Sequence, residues 1–304
     1  MSDVTVVGAG VIGLTCALIL EERGHRVRVV AAATSPHTTS DVAGAVWFPY
    51  RAGPRDAVTR WAARTRAWLD ELAAIEPAAG VDVLDAYELA DDLAVEPWWA
   101  AAAPVARGAW RGLAAWRFRA PRAEPALHLA WLASQLHAPF EARAVRDLAS
   151  ERGDVVVNCT GLAARALCGD RELAPLFGQV AIVAADSGSD LGVTVADDRD
   201  PAATFYAIPR RDSIVLGGCA IAGRDDLAPD PAITTRVVAR ARELGIAFGD
   251  VRAVRTGLRP ARPEIRLEAD GRVIHCYGHG GAGFTLARGC ADDVAALVDR
   301  AGAR

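Results

Sequence analysis

Residues 4–13 read Val-Thr-Val-Val-Gly-Ala-Gly-Val-Ile-Gly and run directly into a helix-forming stretch, residues 14–23. The run 4–7 is too apolar for a half-exposed strand and too short to span a bilayer. It is therefore expected to be the central strand of a parallel sheet covered on both faces. Gly8 permits a tight turn, Gly10 lets backbone approach a pyrophosphate without a Cβ in the way, and Gly13 lets the helix pack close to the strand. The helix start adds free N–H groups and the positive end of its dipole. With a strand before it and a helix after it, the segment Gly8, Ala9, Gly10, Val11, Ile12 and Gly13 is expected to hold a dinucleotide. An ordinary strand-to-helix turn has the same local form.

Composition narrows what such a fold does. The 304 residues leave room for two domains. A net charge of −4 gives no electrostatic case for nucleic acid. No run of roughly 18 apolar residues is present to cross a membrane, so a soluble chain is expected. Neither a secretory leader before residue 4 nor a Ser-Lys-Leu type ending at residues 301–304 is seen, which points to the cytoplasm. All 34 basic residues are arginine. A chain without lysine is no Schiff-base pyridoxal enzyme, no lysine aldolase and no ordinary P-loop NTPase. Cys16, Cys159, Cys168, Cys219, Cys276 and Cys290 are dispersed, as are the histidines, so buried thiols in a reducing compartment and no metal site are expected.

The chain order then alternates strand and helix. Residues 27–30 form a second strand that ends in Ala31, Ala32 and Ala33, where a ribose-binding acid is expected in a dinucleotide fold. Residues 38–50 join hydroxyls to small residues, which suits either a loop against a polar ligand or a helix cap with a bend. Val58, Trp61, Thr65, Trp68 and Leu72 repeat at helical spacing over residues 56–74. All eight tryptophans lie between Trp47 and Trp131, which suggests that residues 50–121 form a separate unit. Residues 124–136 read as a helix, 140–145 as a strand, and 154–161 as a buried strand ending in Cys159, Thr160 and Gly161, at the edge where a cofactor sits in such sheets. A hairpin is expected over residues 204–219, a helix over 231–244, strands at 251–256 and 273–277, a glycine turn at 278–283 and a closing helix from 284.

Six segments in register resemble the D-amino-acid oxidase family of FAD enzymes: residues 8–13, 39–43, 157–161, 206–209, 256–260 and 277–285. The resemblance runs from the first strand to the last helix. It implies an α/β architecture, a Rossmann-like FAD-binding domain interleaved with an α+β substrate domain on a mixed sheet. The FAD domain takes residues 1–49, 122–177 and 256–304, and the substrate domain 50–121 and 178–255. FAD contacts are implied at the opening turn and at Thr38, Thr39, Ser40, Gly44, Ala45, Val46, Val145, Cys159, Thr160 and Gly161. Further contacts are implied at Gly280, Gly281, Gly283, Phe284 and Thr285. The substrate carboxylate falls to Arg259 with Tyr206, and its amine to the Gly281 carbonyl. No side-chain base is obligatory. The implied reaction takes a D-amino acid and oxygen to a 2-oxo acid, ammonia and hydrogen peroxide.

Dimers are usual in that family, although no interface is identifiable from these residues. Two departures stand out. Residues 200–205 carry no second active-site tyrosine, and Phe48 replaces a polar residue, which together favour neutral D-amino acids, bulky ones included. The alanines after the second strand imply an FAD more easily lost than in members with the acid. A glycine or sarcosine oxidase is the alternative on the same arginine. An NAD-dependent dehydrogenase fits only the opening turn, since it needs no second glycine turn, and a silent binding protein is the remaining class.

Overall fold

The computed structural model describes residues 1–302 except Asp186, Ser187, Gly188 and Asp190. Ala303 and Arg304, part of the chain ending read above, lie outside the described residues. The elements begin with β1 (Asp3–Val7), α1 (Val11–Glu22), β2 (Arg26–Ala31), α2 (Arg55–Ile75), β3 (Val81–Leu89), β4 (Ala106–Trp110) and β5 (Leu113–Ala123). Next come α3 (Pro125–Gln135), β6 (Phe140–Ala142), β7 (Val155–Asn158), α4 (Ala164–Leu167), β8 (Ala174–Ala184), β9 (Thr194–Asp197) and β10 (Phe205–Pro209). The last are β11 (Ser213–Gly217), β12 (Ile221–Ala222), α5 (Pro231–Glu243), β13 (Val251–Asp270), β14 (Val273–His279) and α6 (Gly283–Gly302).

The chain forms two compact units, one from Met1–Val81, Ala123–Pro175 and the residues from Arg259 onward, the other from Asp82–Arg122 and Leu176–Leu258. In the first unit β14, β7, β1, β2 and β6 lie side by side in that order, all parallel. Val6, Val29 and Val157 are fully buried, as strands covered on both faces require. The C-terminal part of β13 runs antiparallel to β14, with a register shift between Ala261 and Arg266. Pro263, which has no N–H for a ladder, falls inside that shift. The strand expected at 251–256 therefore continues much further, to Asp270.

Helix α2 belongs to this first unit, which corrects the boundary drawn at residue 50 from the tryptophans. A Cβ on Gly289 of α6 would stand 2.4 Å from the Trp61 carbonyl oxygen, so the bare glycine lets the two helices touch backbone to backbone. The Gly289 N–H donates to Thr65 Oγ1 at 3.0 Å, and the Trp61 indole donates to Asp293 Oδ2 at 2.7 Å. Tryptophan clustering marks aromatic content and does not choose the packing partner.

In the second unit the strand order is β4, β5, β3, β9, β10, β11 and β8. Strands β10 and β11 form an antiparallel hairpin with Tyr206 opposite Gly217. Phe177, Phe205, Leu216 and Val195 fill its core beneath Ile233, Val237 and Ala241 of α5. Strand β9, absent from the sequence reading, pairs in parallel with β3. Among the described residues, no helix is long and apolar enough to cross a membrane.

Candidate active site

Because β1, β7 and β14 are parallel neighbours, their carboxyl ends share one edge of the sheet, and each ends in a glycine-bearing turn. Gly8 has φ +117°, and a Cβ there would stand 2.4 Å from the Cys159 carbonyl oxygen. A Cβ on Gly13 would stand 2.0 Å from the Gly8 carbonyl oxygen and 3.4 Å from Cys159 Cβ. Both glycines are thus fixed by close packing. Gly10 brings no capping side chain to the start of α1. Instead Ser40 Oγ accepts from the Val11 N–H at 3.0 Å.

Ser40 is aimed by its own loop. Thr38 and Asp41 form a capping box: the Thr38 N–H and hydroxyl both donate to Asp41 Oδ2, at 2.8 and 2.6 Å, while Ser35 donates to Oδ1. The hydroxyl segment is therefore a cap, with Thr38 opening its short helical turn and Ser40 facing the Gly10 turn. Thr39 is exposed. Asp41 was not singled out in the sequence, although its T-x-x-D spacing carries the signal. The Thr160 hydroxyl turns back to donate to Asn158 Oδ1 at 2.8 Å. Val145 lies past the end of β6 and packs against Val7, Leu148 and Val156.

The second turn is held by the Gly280 N–H, which donates to the Pro260 carbonyl at 2.8 Å. It brings Gly281 beside Arg259: a Cβ at Gly281 would stand 3.6 Å from Arg259 Cδ and 2.9 Å from Tyr50 Cδ1. Tyr50, missed in the sequence because it sits in a loop without periodicity, thus faces the two residues expected to meet the substrate. Arg51 lies over its ring, 5.2 Å from the centroid. A Cβ on Gly283 would stand 3.5 Å from Val11 Cγ1, so the two glycine turns face each other. Thr285 exchanges bonds with Phe48, accepting from its N–H at 3.1 Å and donating to its carbonyl at 3.0 Å. This ties the loop carrying Gly44, Ala45 and Val46 to the first turn of α6, beside Phe284. Ala45 has φ +50°, and its carbonyl accepts from the Ala123 N–H at 2.8 Å.

Behind this turn the Tyr277 hydroxyl donates to Asp170 Oδ2 at 2.9 Å and Arg262 Nε donates to the same oxygen at 3.0 Å. Burial pushes the Asp170 carboxyl up, but the Tyr277 and Arg262 bonds outweigh it and hold the group below its ordinary range. The anchor is therefore charged at neutral pH.

Tyr206 is positioned within the second unit. Its ring lies flat on Gly217 and Gly218, where a Cβ would stand 2.2 Å from Cζ and 2.6 Å from Cε1 respectively. Arg236 braces that backbone, donating to the Thr204 carbonyl at 3.1 Å and the Gly218 carbonyl at 2.5 Å. The short segment before β10 is closed by the Ala202 N–H on Asp200 Oδ1.

The cysteines, dispersed in sequence, are not dispersed in space. Cys16, Cys159 and Cys276 converge, and Cys276 also meets His279 and Cys290, all of them buried. All six cysteines are free thiols.

The set of groups suits a dinucleotide: a helix start capped only from the Ser40 loop and bare glycines facing a second glycine turn and helix start. The sequence profile of the FAD dependent oxidoreductase family matches residues 3–297. A D-amino-acid oxidase from Rubrobacter xylanophilus is 41% identical, over 97% of this chain and 95% of that protein. One from Streptomyces coelicolor is also 41% identical, over 97% and 96%. A glycine oxidase structure from Bacillus cereus superposes with a TM-score of 0.79 at 20% identity, covering 100% of this chain and 96% of that one, which speaks to fold alone. Fold, opening turn and family profile agree, and the chain belongs to the family of FAD dependent oxidoreductases.

Proposed function

We propose that this chain is a D-amino-acid oxidase, converting a neutral D-amino acid, water and oxygen to the 2-oxo acid, ammonia and hydrogen peroxide. The observation that carries the reading is Gly281 set between Arg259 and Tyr50 on the turn that opens α6, in a chain whose relatives of that name match it over nearly their whole length.

The first unit is the FAD unit and the second the substrate unit. The opening turn, Ser40 and the Cys159–Gly161 turn hold the diphosphate side of FAD, with the start of α1 supplying N–H donors. The start of α6 faces the flavin, and its positive dipole end favours negative charge there. When bound, the flavin supplies the hydride acceptor.

Arg259 binds the substrate carboxylate through paired N–H groups. The Gly281 carbonyl accepts from the substrate amine. These groups orient the Cα–H and remove no proton themselves, so rate comes from placement. Phe48 and the short segment before β10 favour neutral side chains. A homodimer in solution completes the proposal and is read by light scattering.

The test is oxygen uptake with D-alanine, D-valine, glycine and sarcosine, followed by loss of flavin colour without oxygen. Turnover of the D-amino acids supports the reading; turnover of glycine and sarcosine alone replaces it with an amine oxidase. Arg259→Ala is expected to retain FAD and lose D-amino-acid turnover by at least about 100-fold, the cost of roughly 3 kcal/mol when a carboxylate loses its charged partner. Unchanged kinetics would remove Arg259 from the site.

A further inference from the structure

The core of the first unit contains a concentration of soft donors that neither the proposed reaction nor ordinary packing accounts for. Cys16 comes from α1, Cys159 from the turn after β7, Cys276 and His279 from β14, and Cys290 from α6. Their donor atoms fall into two sets, Cys16, Cys159 and Cys276, and Cys276, His279 and Cys290, each with all its atoms within 4.8 Å of one another. Cys276 belongs to both. Buried thiols alone behave as small apolar side chains. His279 does not, since it is only 3% exposed and turns Nε2 toward the Cys276 sulfur at 4.0 Å. An imidazole nitrogen this deep costs free energy unless it is partnered, and a thiol is a weak partner.

We propose that Cys276, His279 and Cys290 form a binding site for a thiophilic d10 dication of the zinc class, with Cys16 or Cys159 supplying a third sulfur, the fourth donor, from the other side of Cys276. Two thiolates and a neutral imidazole cancel the charge of the ion, and a third thiolate completes a tetrahedron. Around zinc, sulfurs bonded at about 2.3 Å stand roughly 3.8 Å apart, so the Cys276, His279 and Cys290 donors, already within 4.8 Å of one another, need move by only about 1 Å. Three thiol protons leave to solvent as the ion binds. In the absence of an ion the Cys159 thiol bonded to Cys276, together with burial, pushes the Cys276 thiol well up, and it stays neutral. The donors come from four separate elements, so the ion ties α1, α6 and the Cys159 turn to β14. Its role is structural, because none of its ligands presents a side chain to the substrate contacts.

The sulfurs are fully buried, so loading during synthesis avoids slow entry into the folded core. The full chain is expressed with Cd(II) in the medium and purified reduced, with FAD. Metal content is measured by mass spectrometry and the thiolate-to-cadmium absorption in the ultraviolet. About one cadmium per chain with that absorption is expected for the natural sequence and for Cys219→Ala, whose thiol lies in the other unit. Cys276→Ala and Cys290→Ala, each checked for retained FAD and cooperative melting, are expected to bind Cd(II) at least roughly 100-fold more weakly. If neither variant folds, the natural sequence alone decides, by the presence of the absorption and a raised melting temperature in the loaded protein. A natural protein without cadmium, cadmium without thiolate absorption, or equal loading of a folded Cys276→Ala each overturns the site.

Discussion

Ser40 Oγ accepts from the Val11 backbone N–H at 3.0 Å, which makes a loop residue the cap of the helix that follows the opening glycine turn. The acid that would hold the ribose is absent: β2 ends at Ala31, whose carbonyl accepts from the Arg143 N–H, and Ala32 and Ala33 have no polar side chain. More of the grip then falls on this cap. Ser40→Ala is expected to lose about 1 kcal/mol there and to raise the FAD dissociation constant about fivefold. Equilibrium dialysis with flavin fluorescence reads the change; retention equal to that of the natural protein counts against the cap.

A methyl group at residue 281 would sit 2.9 Å from Tyr50 Cδ1. Gly281→Ala must therefore tilt that ring or shift the turn against Arg259. FAD binding should survive, while KM for the D-amino acid rises about 5- to 30-fold, equivalent to roughly 1–2 kcal/mol. Steady-state kinetics at saturating oxygen, with the flavin spectrum as control, distinguishes this from general damage.

Gly289→Ala addresses architecture and not chemistry. Its Cβ would stand 2.4 Å from Trp61 Cα and the Trp61 carbonyl oxygen, both backbone atoms with no rotamer to yield. The helices α2 and α6 must separate, at a cost of about 2–3 kcal/mol. Urea unfolding should show a lower midpoint at an unchanged slope; an unaltered midpoint contradicts the backbone contact.

Two buried groups pull the pH dependence of stability in opposite directions. Burial first, and then the Asp198 charge, push the Glu88 carboxyl up to about 7, although the Trp99 indole bonds to it. Its Oε2 is buried without a hydrogen-bond partner. The folded state holds that proton more tightly than the unfolded chain, so Glu88 costs stability as pH rises from about 4.5 through 7. Burial lowers His128 to about 4, with its Nδ1 paired to the Ala79 carbonyl. The stability held by neutral His128 is complete above about 6.5 and disappears as pH falls through 4. Glu88→Gln should therefore gain about 1–3 kcal/mol at pH 8 and little at pH 4.5, while His128→Phe should flatten the acid side. Melting temperatures from pH 4 to 8 check both signs.

The legible part of this fold was the part with local rules. Val4 to Val7 and the three glycines after them carried strand, turn and helix together, and the structure shows why Gly8 and Gly13 are needed, through the Cys159 and Gly8 carbonyls. The Arg259 and Gly281 pair was legible only through resemblance, because their meeting depends on β13 running back along β14. The strand runs beyond the expected 251–256, although Pro260 and Pro263 argue against a ladder and nothing local announces the bulge that admits Pro263. Tyr50 lies on a loop, where no periodicity points to a partner. The convergence of Cys16, Cys159, Cys276 and Cys290 was invisible for a different reason: four elements far apart in the chain supply one cluster, and spacing rules see only neighbours.

The first unit is assembled from three separated stretches of chain, and the last of them brings Arg259, β14, the Gly280–Gly283 turn and α6. A ribosome working at about 5–20 residues per second finishes the opening glycine turn long before its counterpart exists. The unit cannot close before that last stretch has emerged, and the parallel strand β7 must wait with its neighbour β14 missing. Closure of the cradle thus waits for the stretch from Arg259 through α6, the last part of the unit to be made, rather than for the opening turn that leads it.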